Sequence, residues 1–416
     1  MGTGRALEWY QTPQGRGMAL LMIATAAFGF ALAAQQNIVA NYFEGELGLA
    51  GPQFGYITAI REVPGFLLIF LTALFYRMSL PRLTSGALVL LAIGFGFFGL
   101  SNSFWTVAPW VIISSLGYHT FLQTQYALGM SLTTEQRAGT ILGRLAAVNN
   151  LGALVSMVVV LAGFHFGWLS FGATFALCGL LALVAAVAVA GFPHLRDGEL
   201  QARAAERAPI VLRREYRYYY LLCLLDGGRQ QIFFSFGLWV LVHHYGLGVP
   251  AISTILIGLA AFSMATAPWI GRMIDRHGER RILALVNAGY VVALLGYGLV
   301  DNVLVAIGCY VIYSFIFPLS AIGATTYLRK VAVFDEIAPS LAMGVTLQHA
   351  AAIVIPVVTG FVLNYAGYQL PFLVACGFAG LTFAVTRRLS PETQKSPRRL
   401  SEDAREGNAR PEPATA

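Results

Sequence analysis

Twelve apolar runs succeed one another along the chain, near residues 17–40, 53–75, 83–100, 105–128, 138–163, 168–191, 217–242, 250–270, 281–299, 304–327, 339–363 and 368–387. Each approaches the roughly 20 residues that a helix needs to cross a hydrocarbon core about 30 Å thick. A polar coat to bury them is missing. Of the 416 residues 57% are hydrophobic and only 11% charged, and mean hydropathy is +0.67, whereas soluble domains carry about 25% charged residues. In lipid the backbone must satisfy its own hydrogen bonds, which segments of this length do as helices. The expected fold class is therefore an all-α polytopic membrane protein with twelve transmembrane helices, and its first partner is the lipid bilayer.

The net charge of +7, from 27 Lys and Arg against 20 Asp and Glu, does not indicate a nucleic-acid partner once its distribution is read. Arg61, Arg144 and Arg229 fall inside apolar runs. The other basic residues lie in the two tails or in every second loop, at Arg77 and Arg82, Arg137, Arg196 to Arg217, Arg272 to Arg281, and Arg329 with Lys330. The alternate loops hold Glu44, Glu46, His165, His243, His244 and Asp301, and no Lys or Arg. This is the positive-inside asymmetry. It predicts a multi-pass protein of the plasma (inner) membrane with both termini cytoplasmic. The first run is long and lacks a small-residue cleavage site, so it reads as a retained helix. Cys178, Cys223, Cys309 and Cys376 all lie in apolar runs without a pairing motif and read as small buried side chains.

The chain divides into a cytoplasmic tail (1–16), a six-helix bundle (17–191), a charged cytoplasmic linker (192–216), a second six-helix bundle (217–388) and a disordered cytoplasmic tail (389–416). The tail is polar and contains proline, a composition that does not build a core. The two bundles repeat each other weakly. Tyr126 and Tyr327, like Gly143 and Gly344, are 201 residues apart; "GLSN" (99–102) faces "LVDN" (299–302) at 200; Gly48-Leu49 faces Gly246-Leu247 at 198. A nearly constant offset across several segments marks a duplicated bundle.

Between the eighth and ninth runs stands "GRMIDRHGERR" (271–281). Gly271 and Gly278 allow a tight cytoplasmic turn, and Asp275 can accept from the N–H groups of a helix N-terminus. The segment resembles the G-x-x-x-D-R-x-G-x-R-R loop of the major facilitator superfamily at Gly271, Asp275, Arg276, Gly278, Arg280 and Arg281, and the resemblance extends over roughly residues 17–388. The first-half copy, "FYRMSLPRL" (75–83), keeps Arg77 but has lost the glycines and the aspartate. The resemblance implies two pseudo-symmetric bundles rocking about a central site, a cytoplasmic gate at 271–281, and transport by alternating access. The fifth run lacks the Gly-Pro pattern that drug exporters of this family carry, which argues against a proton-antiporting drug pump.

The seventh run, "LCLLDGGRQQIFFSFGLWVLV" (222–242), carries Asp226, Arg229, Gln230 and Phe233 at i, i+3, i+4 and i+7, on one helical face. A charge at mid-membrane costs about 2.5–3.5 kcal/mol on insertion scales, so this face is expected to meet a bundle interior or a wet cavity. The adjacent Gly227 and Gly228 could let the helix bend. At 1.5 Å per residue Arg229 lies roughly 12 Å from one face, and Arg61 and Glu62 of the second run lie roughly 12–13 Å from the same face. Being level, they are expected to pair across the halves, Glu62 with Arg229 or Arg61 with Asp226, at one central cavity, with Pro64 permitting a kink. Neither pair recurs at the duplicated offset, where Arg61 and Glu62 meet Leu259 and Ala260.

Further candidates for the same cavity are Gln35 and Gln36 with Asn37, then His119, Gln123 and Tyr126, then Arg144 with Asn149 and Asn150, then Tyr313, Gln348 and His349. Each could instead form an interhelical hydrogen bond that only holds the bundle together. Arg144 lies near enough to the inner face to snorkel, and His243 and His244 read as an outer rim. No phosphate-binding Gly-x-x-x-x-Gly-Lys loop, metal-spaced cluster or nucleophile–base pair stands out, so an enzyme, a cofactor and a bound metal are not expected. The expected function is secondary active transport of a small polar or anionic solute, proton-coupled, by a monomer. The alternative is an efflux pump of the same superfamily for lipophilic or cationic drugs, with Glu62 and Asp226 as cation partners.

Overall fold

The computed structural model describes residues 11–74, 78–133, 138–193, 212–277 and 279–401, with the backbone alone at 68–74, 138–139, 267–277, 279, 321–322, 334 and 338. Among the described residues there is no strand. Twelve long helices follow the twelve apolar runs: α1 (Pro13–Asn41), α2 (Gly51–Leu74), α3 (Leu80–Phe98), α4 (Phe104–Ser131), α5 (Ala138–His165), α6 (Phe171–Ala190), α7 (Arg217–His243), α8 (Val249–His277), α9 (Glu279–Leu299), α10 (Val303–Val331), α11 (Phe334–Ala366) and α12 (Gln369–Arg387). Nine of them are long and apolar enough, on their described residues, to cross a membrane. α7, with its polar centre, is not among the nine.

The helix ends follow from local chemistry. Thr12 caps α1, its Oγ1 accepting from the Gly15 N–H at 3.0 Å, with Pro13 in the first turn. Ser170 caps α6, and Asn302 caps α10 by accepting from the N–H groups of Leu304 and Val305. Four glycines adopt positive φ, and they fall into two pairs at the duplicated spacing: Gly48 (φ 57°) with Gly246 (φ 67°), and Gly167 (φ 73°) with Gly367 (φ 74°). After the first pair the chain makes the same backbone bond in each half, Leu49 N–H to Phe43 C=O at 2.9 Å and Leu247 N–H to Leu241 C=O at 3.0 Å. The duplication is thus visible in the loops as well as in the helices.

By contacts the chain forms two compact units: Met1–Arg207 with Leu238–Ala260 and Pro356–Asn364, and Ala208–Gly237 with Ala261–Ile355 and Tyr365–Ala416. In the first unit α1 packs on α5 and α6, α3 on α4 and α6, and α2 on α4. In the second, α9 packs on α10 and α12.

Two sequence expectations change here. Residues 389–401, expected to be disordered, are docked on the second unit. The Ser396 N–H donates to the Val331 carbonyl (2.9 Å), Gln394 Oε1 accepts from the Tyr327 hydroxyl (2.8 Å), and Leu389 is buried. Arg398 donates to Glu336 Oε1 (2.9 Å), which also accepts from Arg213 of the linker, while Glu336 Oε2 accepts from Tyr216 (2.7 Å). Burial, then the bond to Glu336, pushes the Tyr216 hydroxyl up to about 12, so it remains a donor. Polar composition concealed this docking because the tail's partners are helix-end groups distant in sequence. The loop motif also changes: Gly271, Asp275 and Arg276 lie on the backbone of α8, which runs helical to His277 instead of turning at Gly271. Their side chains, and Gly278 altogether, are outside the described residues, as is Arg77. Arg280 and Arg281 are exposed, and Arg280 donates to the Arg387 carbonyl at the end of α12 (2.7 Å).

Candidate functional site

In the first unit α2 presents Arg61 and Glu62 side by side, and each is set by its neighbours. Glu62 Oε1 accepts from Arg61 Nε (3.1 Å) and Nη2 (3.0 Å). The two side chains differ sharply in exposure, 47% for Arg61 against 10% for Glu62. α4 supports the pair. His119 Nε2 stands 3.9 Å from Glu62 Oε2. His119 Nδ1 lies 3.0 Å from the Ser115 carbonyl; a carbonyl only accepts, so Nδ1 carries the hydrogen. The Ser115 hydroxyl donates to the Arg61 carbonyl. Ser115 thus holds the backbone of the charged dipeptide, and His119, one turn further along α4, stands beside its carboxylate.

In the second unit the polar centre of α7 is enclosed. Arg229 Nη2 donates to Asp226 Oδ1 (2.8 Å), Arg229 Nη1 to the Tyr313 hydroxyl (2.6 Å), and the Ser320 hydroxyl to Asp226 Oδ2 (2.6 Å). The guanidinium lies 3.5 Å from the centre of the Tyr290 ring, a cation–π contact, and Phe233 stacks on Tyr313 at 3.6 Å. Arg229 is 0% exposed. The face shared by Asp226, Arg229 and Phe233 therefore looks into the bundle against α9 and α10.

Within each unit the charged residues pair along their own helix, Glu62 with Arg61 and Asp226 with Arg229. Each carboxylate takes the arginine within three residues of it, because that arginine reaches it without a second helix having to present one. At Gly227 the missing side chain serves close packing: α7 is continuous from Arg217 to His243, and a Cβ on Gly227 would stand 3.0 Å from Gln348 Cα.

Gln35, Gln230, Gln348 and His349 are half-buried, while Gln36, Gln123, Tyr126 and Arg144 are exposed. Tyr313 is buried in the Arg229 network, and His119 in the Glu62 network. Sequence reasoning missed Ser115, Tyr290 and Ser320. Ser115 carried a signal, standing four residues before His119; Tyr290 and Ser320 carried none. It also set aside His243, whose Nδ1 lies 2.6 Å from Glu44 Oε1.

The Major Facilitator Superfamily model matches residues 20–345 and 219–414. The chain belongs to the Major Facilitator Superfamily. Among solved structures it is similar to the nucleoside transporter NupG (TM-score 0.74, 14% identity, covering 90% of this chain and 99% of that one). It is also similar to a bacterial homologue of the human lysosomal transporter Spinster in an inward-facing, occupied conformation (TM-score 0.69, 12% identity, 91% and 98%). A third is the human organic anion transporter MFSD10 (TETRAN) (TM-score 0.58, 14% identity, 90% and 100%). At such identities the likeness establishes the fold. No curated protein matches by sequence. The chain is thus a multi-pass membrane protein with the twelve-helix fold of this superfamily, and family and fold together support a secondary transporter.

Proposed function

We propose that this protein carries a small polar or anionic solute across the plasma membrane by alternating access, coupled to protons, with both termini cytoplasmic and as a monomer. The observation that carries the reading is the half-open Arg61 beside the buried Glu62. An arginine offers five N–H donors in a planar fork, and Glu62 takes two of Arg61's, so a carboxylate or phosphate of the solute can compete for the same guanidinium. Glu62 is the coupling-proton site of this reading: when solute draws Arg61 away, the buried carboxylate loses its counter-charge and binds a proton. The enclosure of Arg229 favours a scaffold role for the Asp226–Arg229 network in this reading. That NupG moves nucleosides and MFSD10 organic anions is compatible with a polar or anionic cargo.

The test is ligand-dependent thermal unfolding of the purified protein against panels of organic anions, nucleosides and lipophilic cations. A ligand that binds the folded state raises the midpoint. Stabilisation by an anion that is lost in Arg61→Ala and kept in Tyr313→Phe is the expected result. Stabilisation by lipophilic cations alone, lost in Glu62→Gln, would replace this reading with drug efflux.

A further inference from the structure

The outer end of α1, opposite the tails in the topology proposed above, carries a polar stripe that the solute site does not use. Asn37, Asn41 and Glu44 stand at i, i+4 and i+7. All three spend their side chains on one later segment of the first unit, residues 239–253. Asn37 Nδ2 donates to Ser253 Oγ (2.9 Å), and Ser253 Oγ stands 3.1 Å from Asn37 Oδ1. Asn41 Nδ2 donates to the Leu247 carbonyl (2.9 Å). The two oxygens of Glu44 are shared between Trp239 Nε1 (3.0 Å) and His243 Nδ1 (2.6 Å), whose rings stack 4.3 Å apart at 10°.

The backbone here is adapted to this task. Residues Tyr42–Glu46 form a π-helical turn, a deviation that re-aims side chains and recurs at functional positions. Its Tyr42 hydroxyl lies within hydrogen-bonding distance of the carbonyls of Phe98 (2.7 Å) and Ser101 (3.0 Å), which fixes the turn to the end of α3. At the duplicated offset of 198 the stripe meets Ser235, Trp239 and Val242. It is therefore no general requirement of a six-helix bundle. Nearby, Gly51 and Gly360 pack backbone to backbone: a Cβ on Gly360 would stand 2.5 Å from the Gly51 carbonyl oxygen.

We propose that Asn37, Asn41 and Glu44 form the latch of the non-cytoplasmic face, with Trp239, His243, Leu247 and Ser253 as its catch, and that it must unzip for solute to enter or leave on that side. The inference rests on the transporter reading. Hydrogen bonds suit a latch that must reopen, because each polar group regains water when the contact breaks, so the net strength of each bond is modest.

The test places a reporter cysteine at Ala34, fully buried on α1 and three residues inward of Asn37. Labelling by a membrane-impermeant maleimide, added to that face without solute, is followed in the Ala34→Cys protein, with the protein that keeps only its four natural cysteines as background. Combining Asn37→Ala with Glu44→Ala is expected to raise the labelling rate about tenfold or more, the combined worth of several such bonds. Trp239→Phe, which replaces the indole with a smaller aromatic ring and removes its N–H donor, is expected to raise it about threefold. It serves as the second variant should the first fail to fold. Rates unchanged in both variants, or labelling equally fast from the opposite face, would overturn the proposal. No solute enters the assay, so its failure leaves the solute reading standing, and loss of that reading leaves the labelling result intact.

Discussion

Arg61–Glu62 on α2 and Asp226–Arg229 on α7 contain the same two functional groups at nearly the same hydrogen-bond length, 3.0 and 2.8 Å. Their surroundings differ. Arg61 keeps about half of its side chain open, while Arg229 has none, being walled by Tyr290, Tyr313 and Phe233. A pair with an open member can exchange its partner for a solute. A pair sealed on every side cannot do so without dismantling the bundle that holds it. Identity of residue and depth in the helix are thus insufficient to assign a role; enclosure decides.

The comparison breaks first, and most visibly, at Asp226. Asp226→Ala strands a fully buried guanidinium and is expected to cost about 3–5 kcal/mol, read as the loss in denaturation midpoint of the purified protein. If Asp226→Ala costs no more than Arg61→Ala, the two pairs are equivalent and the distinction fails. Replacing both partners with apolar residues, Asp226→Leu with Arg229→Met, is expected to restore much of that stability, since no charge is then left buried. Next in size is Tyr313→Phe, which removes one acceptor from Arg229 and is expected to cost about 1–3 kcal/mol with solute binding retained. Arg61→Ala reverses that pattern. It leaves the buried Glu62 carboxylate without its arginine, but protonation can neutralise that group, so the loss of stability is expected to stay below that of Asp226→Ala while solute-dependent stabilisation is abolished. Smallest is Arg398→Ala in the docked tail: with 71% of that side chain exposed, the loss is expected within about 0.5 kcal/mol, and a larger one would mean that the tail supports α11 more than its contacts account for.

The membrane class, the twelve helices and the duplication were legible because hydropathy runs and a nearly constant offset are properties of the chain itself. The charged residues worth attention were legible too, since the cost of a buried charge marks Arg61, Glu62, Asp226 and Arg229 wherever they stand. Their partners were not. Pairing along one helix or across the fold depends on side-chain rotation, which a depth estimate does not contain. Tyr290 and Ser320 reach the α7 network from 61 residues beyond Arg229 and 94 beyond Asp226, and nothing in their local sequence distinguishes them. The Asn37–Asn41–Glu44 stripe had helical spacing in the sequence, but its meaning came from Trp239 and from His243, and of these the sequence had read only His243, as part of an outer rim.

The contrast between the two arginines can be measured without any variant. Phenylglyoxal modification of the native protein, mapped residue by residue by mass spectrometry, reads guanidinium accessibility directly. The expected result is that Arg61 reacts at a rate comparable to the exposed Arg144, and that Arg229 stays unmodified until the protein is denatured. Arg229 reacting as fast as Arg61 in the folded protein would contradict the assignment of one pair to the solute and the other to the scaffold.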